Sequence, residues 1–329
     1  MTGPYETVMV ESQELSLRLD RWFKRHYPAL PHGQLEKLLR TGRIRVDGKR
    51  ARSGDRVVPG QAIQVPALGE AKTSRRPSTD QLRPADEAML QGAILHRDDA
   101  LIVLNKPPGL AVQGGTATER HLDGLLDGLR FGSDERPRLV HRLDKETSGV
   151  LVIARTGAAA GLLTRSFREK TTRKTYWALV VGLPKPQQGR IALPLAKTPG
   201  PGGERVRPAV EAGKPAVTYY QAVDSAWARV TWLALTPVTG RTHQLRAHCA
   251  AIGTPILGDS KYGGAAAHLA GVPGSHRLHL HARTLVIPHP LGGNLEITAP
   301  LPEHMRGSWE FLGFQDDISD PFANLELPT

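Results

Sequence analysis

The densest gathering of reactive side chains is His141-Arg142-Leu143-Asp144-Lys145-Glu146-Thr147-Ser148-Gly149, which runs without a break into the apolar residues 150–154. A polar loop seated on a strand of buried type is the usual way a rigid scaffold holds a site. A carboxylate there, with an ordinary pKa of about 4, is ionised at neutral pH and can serve as nucleophile or base. Composition alone supports a plainer reading, because alternating charges followed by Thr-Ser-Gly also describe a solvated turn with local ion pairs. Thirteen histidines raise the question of a metal. His279 and His281 share a strand face, whereas His243 and His248, on a helix expected from near Arg241, lie about 140° apart around it and do not converge. No metal is expected. Lys106 beside Pro107-Pro108 lacks the Gly-x-x-x-x-Gly-Lys frame of a phosphate loop and reads as structural. Cys249, the single cysteine, reads as a buried small apolar residue and excludes an internal disulfide and any zinc site of paired cysteines.

These groups need strands and helices to hold them. Apolar, β-rich runs at 101–104, 150–153 and 230–235, with further candidates near 285–287 and 295–297, alternate with loops and helical stretches, which is α+β patterning. Ahead of them, Leu19, Trp22 and Phe23, then Leu35, Leu38 and Leu39, recur at helical spacing, and Ile44 and Val46 alternate with charges before the turn pair Asp47-Gly48. Gly42 is placed to end the second helix in a left-handed conformation. A helix–helix–hairpin module over 14–66 results. Residues 67–87, rich in Ser, Thr, Pro and mixed charge, read as a flexible linker, 88–310 as the catalytic domain, and 311–329 as an acidic, solvated tail that can fold back on basic surface. The 329-residue length suits two domains, and 40% hydrophobic with 23% charged residues suits a chain that buries a core. Net charge is +11, and residues 18–56 carry twelve Lys or Arg against four acids. Such a basic segment predicts a polyanionic partner, nucleic acid first. No apolar run of about 18 residues and no signal-type start is present, so a cytoplasmic protein is expected.

The string at 141–152, His-Arg-Leu-Asp-x-x-Thr-Ser-Gly-Val-Leu-Val, resembles the motif of the RluA-type pseudouridine synthases, whose invariant aspartate falls on Asp144. Arg173-Lys174-Thr175-Tyr176-Trp177-Ala178-Leu179-Val180-Val181-Gly182 is similar to the family's second motif, with its tyrosine at Tyr176. Thr239-Gly240-Arg241-Thr242-His243-Gln244-Leu245-Arg246-Ala247-His248 is similar to the third, in which Arg246 falls on the arginine that pairs with the aspartate. Flanking patterns agree as well, in Asn105-Lys106-Pro107-Pro108-Gly109, Gly253-Thr254-Pro255-Ile256-Leu257-Gly258-Asp259 and Leu280-His281-Ala282, so the resemblance spans about 94–300. Relatives often carry histidine where Gln113 stands, and that position is given no role. The sister RsuA-type group, with Gly before Arg-Leu-Asp and no Thr-Ser-Gly, fits less well. The N-terminal module resembles an S4 RNA-binding domain, in Leu17-Arg18-Leu19-Asp20-Arg21-Trp22, Gly42-Arg43-Ile44-Arg45-Val46-Asp47-Gly48-Lys49 and the turns Gly54-Asp55 and Pro59-Gly60. That pairing of domains is the arrangement of the RluC and RluD members, RluC being the closer.

The resemblance implies a pseudouridine synthase fold, a mixed, largely antiparallel sheet with flanking helices, and isomerisation of uridine without a cofactor. The C1′–N1 bond breaks, the uracil turns, and a C1′–C5 bond forms. Asp144 attacks C1′ or removes a sugar proton, and the resemblance does not choose between them. Arg246 keeps that carboxylate charged and aimed, while Tyr176 stacks on the uracil with its hydroxyl near the departing C5 proton. Arg142 fills the space that the extracted nucleotide leaves, Leu245 walls the pocket, and Arg241 touches RNA. Arg40, Arg43 and Arg45 of the module contact phosphates. The implied partner is RNA, 23S ribosomal RNA or a large-subunit precursor, bound by a monomer. Two other classes compete: a ribosome-assembly factor using the fold as a scaffold with little turnover, and a hydrolytic nucleosidase that would release free base.

Overall fold

Six apolar side chains at helical spacing organise the N-terminal unit. Leu19, Trp22 and Phe23 lie on α1 (Leu19–His26), Leu35, Leu38 and Leu39 on α2 (His32–Arg40), and all six are buried in one cluster with Ile44, Val57 and Ile63. Trp22 Nε1 donates to the buried Glu14 carboxylate at 3.0 Å, and His26 Nε2 meets the same group at 2.6 Å. Around the helices run β1 (Tyr5–Met9), the short pair β2 (Leu17–Arg18) and β5 (Arg56–Val57), the hairpin β3 (Arg45–Val46) and β4 (Lys49–Arg50), and β6 (Ala62–Pro66). The main sheet has the order β1-β6-β3-β4. Gly42 ends α2 at φ +69°, and Asp47 and Gly48 both adopt positive φ, the type I′ geometry that joins twisted strands. The unit starts earlier than residue 14, since β1 pairs with β6 along its whole length. As an edge strand with Tyr5 and Met9 exposed, β1 buries too little to show alternation in the sequence.

The computed structural model describes residues 5–11, 14, 17–28, 30–67, 82–114, 120–198, 205–209 and 211–322. The chain divides into two compact units, Met1–Asp80 and Gln81–Thr329. Most of the linker expected over 67–87, at 68–81, lies outside the described residues, but its end is not a linker. Pro84 starts α3 (Pro84–Gly92), and the charges that read as linker include Asp86 and Glu87 in its first turn, where carboxylates favour helix formation.

In the second unit the β-rich runs become β7 (Ile94–Arg97), β8 (Leu101–Lys106), β9 (Arg138–Leu139), β10 (Ser148–Ala154), β11 (Arg173–Val181), β12 (Gln188–Ala192), the separate hairpin β13 (Leu195–Thr198) and β14 (Arg205–Pro208), then β15 (Val217–Ala226), β16 (Val230–Pro237), β17 (Leu280–Pro288) and β18 (Asn294–Thr298). Helices α4 (Leu122–Leu125), α5 (Gly157–Glu169), α6 (Gln244–Ala251) and α7 (Glu303–Leu312) flank them. The sheet order is β12-β15-β16-β11-β17-β10-β8-β7, with β9 on β10 and β18 on β17. Among the described strands of this sheet only the β10–β17 pair is parallel, so the fold is the mixed, largely antiparallel α+β sheet with flanking helices that the resemblance implies. All seven residues of β10 are buried because both faces are covered: Leu151 and Ile153 pack toward Leu122 and Leu126, Val150 and Val152 toward Leu163 of α5.

Residues 311–322 fold back on basic surface, as the sequence reading allowed, but are anchored by apolar contacts as well. Phe314 and Phe322 are buried with Trp177, Trp232 and Trp309, Asp320 pairs with Arg173, and Asp316 lies 3.8 Å from Arg283. Two phenylalanines outweigh the acids there; residues 323–329 lie outside the described residues.

The parallel contact depends on a glycine. Gly149 sits at φ +107°, and a Cβ on it would fall 2.2 Å from the Ala282 carbonyl oxygen. Gly149→Ala is therefore expected to cost about 3 kcal/mol or more, through a forced backbone and a separated strand pair. Gly161→Ala, in α5 with open space around it, should gain about 0.5–1 kcal/mol. Urea unfolding of both variants checks the pair, and equal stabilities would refute the close approach.

Candidate active site

Three strands bring the sequence motifs together. Gly149 of β10 lies opposite Ala282 of β17, and Ala282 lies opposite Tyr176 of β11. The register shifts between Thr175 and Tyr176, a bulge of the kind that re-aims a side chain. Loop 141–147, which feeds β10, and loop 238–243, between β16 and α6, border one cavity of about 440 Å³ that Arg142, Asp144, Tyr176, Arg241, Leu245 and Arg246 all line. Arg40, Arg43 and Arg45 belong to the other unit, where they are exposed; Arg45 also donates to the Gly42 and Gly48 carbonyls at 3.2 and 3.0 Å.

Both loops are pinned from beneath. Lys106, fully buried, donates to the carbonyls of Pro107, Leu110 and Lys145 at 2.8, 2.9 and 3.0 Å and so ties the Asn-Lys-Pro-Pro-Gly segment to the Asp144 loop. Burial pushes its pKa down to about 7 against the opposing pull of Glu146 and Asp144. His141 Nε2 accepts the Val152 N–H at 2.8 Å while the ring stacks on Phe167, and burial drives its pKa down to about 3. His281, also held near 3 by burial, meets Ser148 Oγ at 2.8 Å. Both rings are neutral supports.

On the other side, Gln244 Oε1 accepts the Thr239 hydroxyl at 2.7 Å and the Arg241 N–H at 3.1 Å, while its Nε2 donates to Val217 O and Thr218 Oγ1. The helix expected from near Arg241 begins at Gln244 instead, because His243 is left-handed at φ +51° and caps it. His248 is committed to Thr218 and Leu193, and Cys249 is fully buried, its thiol pushed up to about 12 by burial. Among the described residues no three of His, Cys, Asp and Glu converge as metal ligands.

The expected Asp144–Arg246 pair is not formed. Arg246 gives Nε and Nη2 to the two oxygens of Asp259 at 2.8 and 2.7 Å, and Asp259 also accepts the Lys261 and Tyr262 amides at 3.2 and 3.1 Å. Asp259 is completely dehydrated and fork-matched to the guanidinium, whereas the Asp144 side chain keeps 20% of its surface open to water. Arg246 thus acts on Asp144 through space, and His243 Nε2 lies 3.9 Å from Asp144 Oδ1. Sequence reasoning quoted Gly258-Asp259 only as a flanking pattern. Tyr176 is half-buried and its hydroxyl makes no hydrogen bond to described residues; burial first, and the Asp144 charge second, raise its pKa, so it stays protonated. Arg168, Lys170 and Lys174 add positive charge to the cavity wall. The arrangement offers a reactive carboxylate, an aromatic ring with a phenol, an apolar wall at Leu245 and a cationic rim, which suits a planar base on a phosphate chain.

The RNA pseudouridylate synthase family matches residues 100–251. The chain is 34% identical to ribosomal large subunit pseudouridine synthase C of Escherichia coli, over 93% of this chain and 96% of the relative. It is 36% identical to the protein of the same name from Rickettsia conorii, over 88% and 95%. RNA pseudouridine synthase 4, mitochondrial, of Arabidopsis thaliana is 34% identical over 91% of this chain and 80% of its own length. Among solved structures, human RNA Pseudouridylate Synthase Domain Containing 4 superposes with a TM-score of 0.57 at 30% identity, covering 69% of this chain and 95% of the human one. No helix among the described residues is long and apolar enough to cross a membrane.

The ion-pair assignment predicts a contrast in stability. Asp259→Asn leaves the Arg246 charge buried without its counter-ion and should cost about 3 kcal/mol. Asp144→Asn, at a partly hydrated carboxylate, should cost under about 1 kcal/mol. Denaturant unfolding of the two variants checks this, and the reverse order would restore Asp144 as the partner of Arg246.

Proposed function

The chain belongs to the RluA-type family of RNA pseudouridine synthases and is an isomerase of RNA uridines, and we propose that its substrate is large-subunit ribosomal RNA and that Asp144, Tyr176 and Arg246 carry the reaction. The observation that supports the residue assignment is the meeting of Asp144 and Tyr176 in one cavity, with the charge of the first felt by the phenol of the second. A uridine leaves the RNA stack to enter that cavity, at a cost of a few kcal/mol that contacts to the flipped base offset. Arg142, exposed at the rim beside Asp144, takes the vacated place in the RNA. Asp144 attacks C1′ or takes a sugar proton, the C1′–N1 bond breaks, the uracil turns against Tyr176 and Leu245, and C5 bonds to C1′ as the Asp144 carboxylate is displaced from C1′ or hands the sugar proton back. The C5 proton then departs and N1 gains one, so no redox change or cofactor enters. Arg246, fixed in place by its pairing with Asp259, presents a preoriented guanidinium on the cavity wall.

Two features favour ribosomal RNA of the large subunit. The Escherichia coli and Rickettsia relatives carry that substrate in their names and align over nearly their whole lengths. The basic N-terminal module, with Arg40, Arg43 and Arg45 exposed, adds phosphate-binding capacity outside the catalytic unit.

The deciding experiment is pseudouridine sequencing of ribosomal RNA from cells with and without the protein; unchanged large-subunit RNA would sink the substrate reading. Asp144→Asn should abolish product formation with RNA affinity held within a few-fold, since the amide keeps the shape and loses the reactivity. Tyr176→Phe should bind RNA and release tritium from C5-labelled uridine slowly, and release at the wild-type rate would exempt the hydroxyl. Neutralising Arg40, Arg43 and Arg45 together should flatten the log–log salt dependence of RNA binding by about two to three units, at roughly 0.9 per phosphate contact, while single-turnover rates at saturating enzyme persist. An unchanged slope would mean the module binds something else.

A further inference from the structure

The Tyr262 hydroxyl lies between the β13–β14 hairpin and the Asp144 pocket. It accepts the Val206 amide N–H at 3.1 Å and lies 2.8 Å from His243 Nδ1, and it makes no other hydrogen bond to the described residues. An amide N–H only donates, so the phenol uses one lone pair there and has its single proton left to place. Given to His243 Nδ1, that proton leaves no hydroxyl bond unmade and forces the imidazole to carry its own proton on Nε2. Nε2 is the nitrogen that faces Asp144, 3.9 Å from Oδ1. The ring is further held edge-on to the Tyr262 ring, with centroids 5.6 Å apart, and its backbone is fixed as the left-handed cap of α6.

We propose that His243 is a positioning residue for Asp144: locked by Tyr262 as the Nε2–H tautomer, it aims a neutral donor at one carboxylate oxygen and leaves the other for the ribose. The proposal rests on the reading of Asp144 as the reacting group. A neutral donor suits that task because it orients the carboxylate without cancelling its charge, which the fully ionic Arg246 would do had Asp259 not claimed it. A separation of 3.9 Å is longer than a hydrogen bond, and contacts of this kind commonly close only when substrate is bound. The charged and titratable groups facing His243 are Asp144, Arg246, Asp259, Lys261 and Tyr262, and burial outweighs the acids among them to keep the ring neutral.

The test uses the full chain with three variants beside Asp144→Asn. Tyr262→Phe removes the proton that sets the tautomer and keeps the ring over Arg246. His243→Asn tolerates the left-handed backbone well, but its amide is too short to reach Asp144. His243→Gln suits that backbone less well, yet can place an N–H where Nε2 stood. If His243 only caps the helix, Asn should be the better replacement; if it positions Asp144, Gln should be. The expected result is a single-turnover rate lowered about tenfold or more in Tyr262→Phe and His243→Asn, with most of it recovered in His243→Gln and RNA affinity within about twofold throughout. The 13Cδ2 shift of labelled His243 should report the Nε2–H form in the wild type and a mixture in Tyr262→Phe. Wild-type rates in Tyr262→Phe, or a Gln variant as slow as the Asn variant, would overturn the proposal while an inactive Asp144→Asn preserves the reading of the site. Full turnover by Asp144→Asn would remove that reading and this proposal with it.

Discussion

The site depends on one close approach of backbones. At Gly149 the first strand after the Asp144 loop lies against Ala282 of β17 more closely than any side chain would permit, and Ala282 is in turn the partner of Tyr176. This is the parallel contact in an otherwise antiparallel sheet, and it makes neighbours of two motifs more than twenty residues apart in the chain. A wider spacing would carry the carboxylate loop away from the tyrosine strand. The buried Lys106, bonded to three carbonyls across both adjoining loops, and the neutral His141 and His281 hold the same junction from below. Each of these polar groups is expensive to bury alone and is satisfied by backbone or hydroxyl partners in the adjoining loops or on β10.

Charge is apportioned by dehydration. Asp259, sealed from water, takes the bidentate pairing with Arg246, where a lost partner would be most costly. Asp144 keeps access to solvent and forms no tight pair, so its oxygens are not consumed by the protein before substrate arrives. Arg246 meets Asp144 through space and not by direct contact, with Arg168, Lys170 and Lys174 on the same cavity wall. A pocket arranged in this way holds the Arg246–Asp259 pair rigidly while leaving the Asp144 carboxylate free, which is the preorganisation that the proposed role of Asp144 calls for.

Much of this was readable from residue order and some was not, for identifiable reasons. The α1 and α2 triplets were visible because one-sided burial imposes a helical period, the strands at 101–104, 150–153 and 230–235 because burial on both faces leaves unbroken apolar runs, and the Asp47-Gly48 turn because both residues suit positive φ. The edge strand at Tyr5–Met9 was invisible because it buries almost nothing on either face. Pro84 and the charges at 82–87 disguised a helix start as a linker, and acids at 316–320 disguised a segment anchored by Phe314 and Phe322. Motif strings located Asp144, Tyr176 and Arg246 in one cavity, but a string says which residues meet and not which of two carboxylates an arginine chooses. That choice follows from the burial of Asp259, a tertiary property. The His243 conformation was missed for the same reason, since a left-handed histidine continues no helical period and capped a helix that sequence spacing began three residues earlier.

The coupling between Asp144 and Tyr176 constrains the order of events whichever first step is taken. While Asp144 is ionised, its charge adds to burial in keeping the phenol protonated, so Tyr176 is a poor proton acceptor at the outset. On the proposed role of Asp144, attack at C1′ would convert the carboxylate to an ester, and abstraction of a sugar proton would convert it to an acid. Either way the negative charge leaves Asp144. One of the two effects that raise the Tyr176 pKa then disappears, and ionisation of the phenol becomes easier at the stage when the C5 proton must be removed. Burial, the larger effect, persists throughout, which keeps the hydroxyl from competing for protons early. On the proposed roles of Asp144 and Tyr176, the pocket would thus time its second acid–base group by the state of its first.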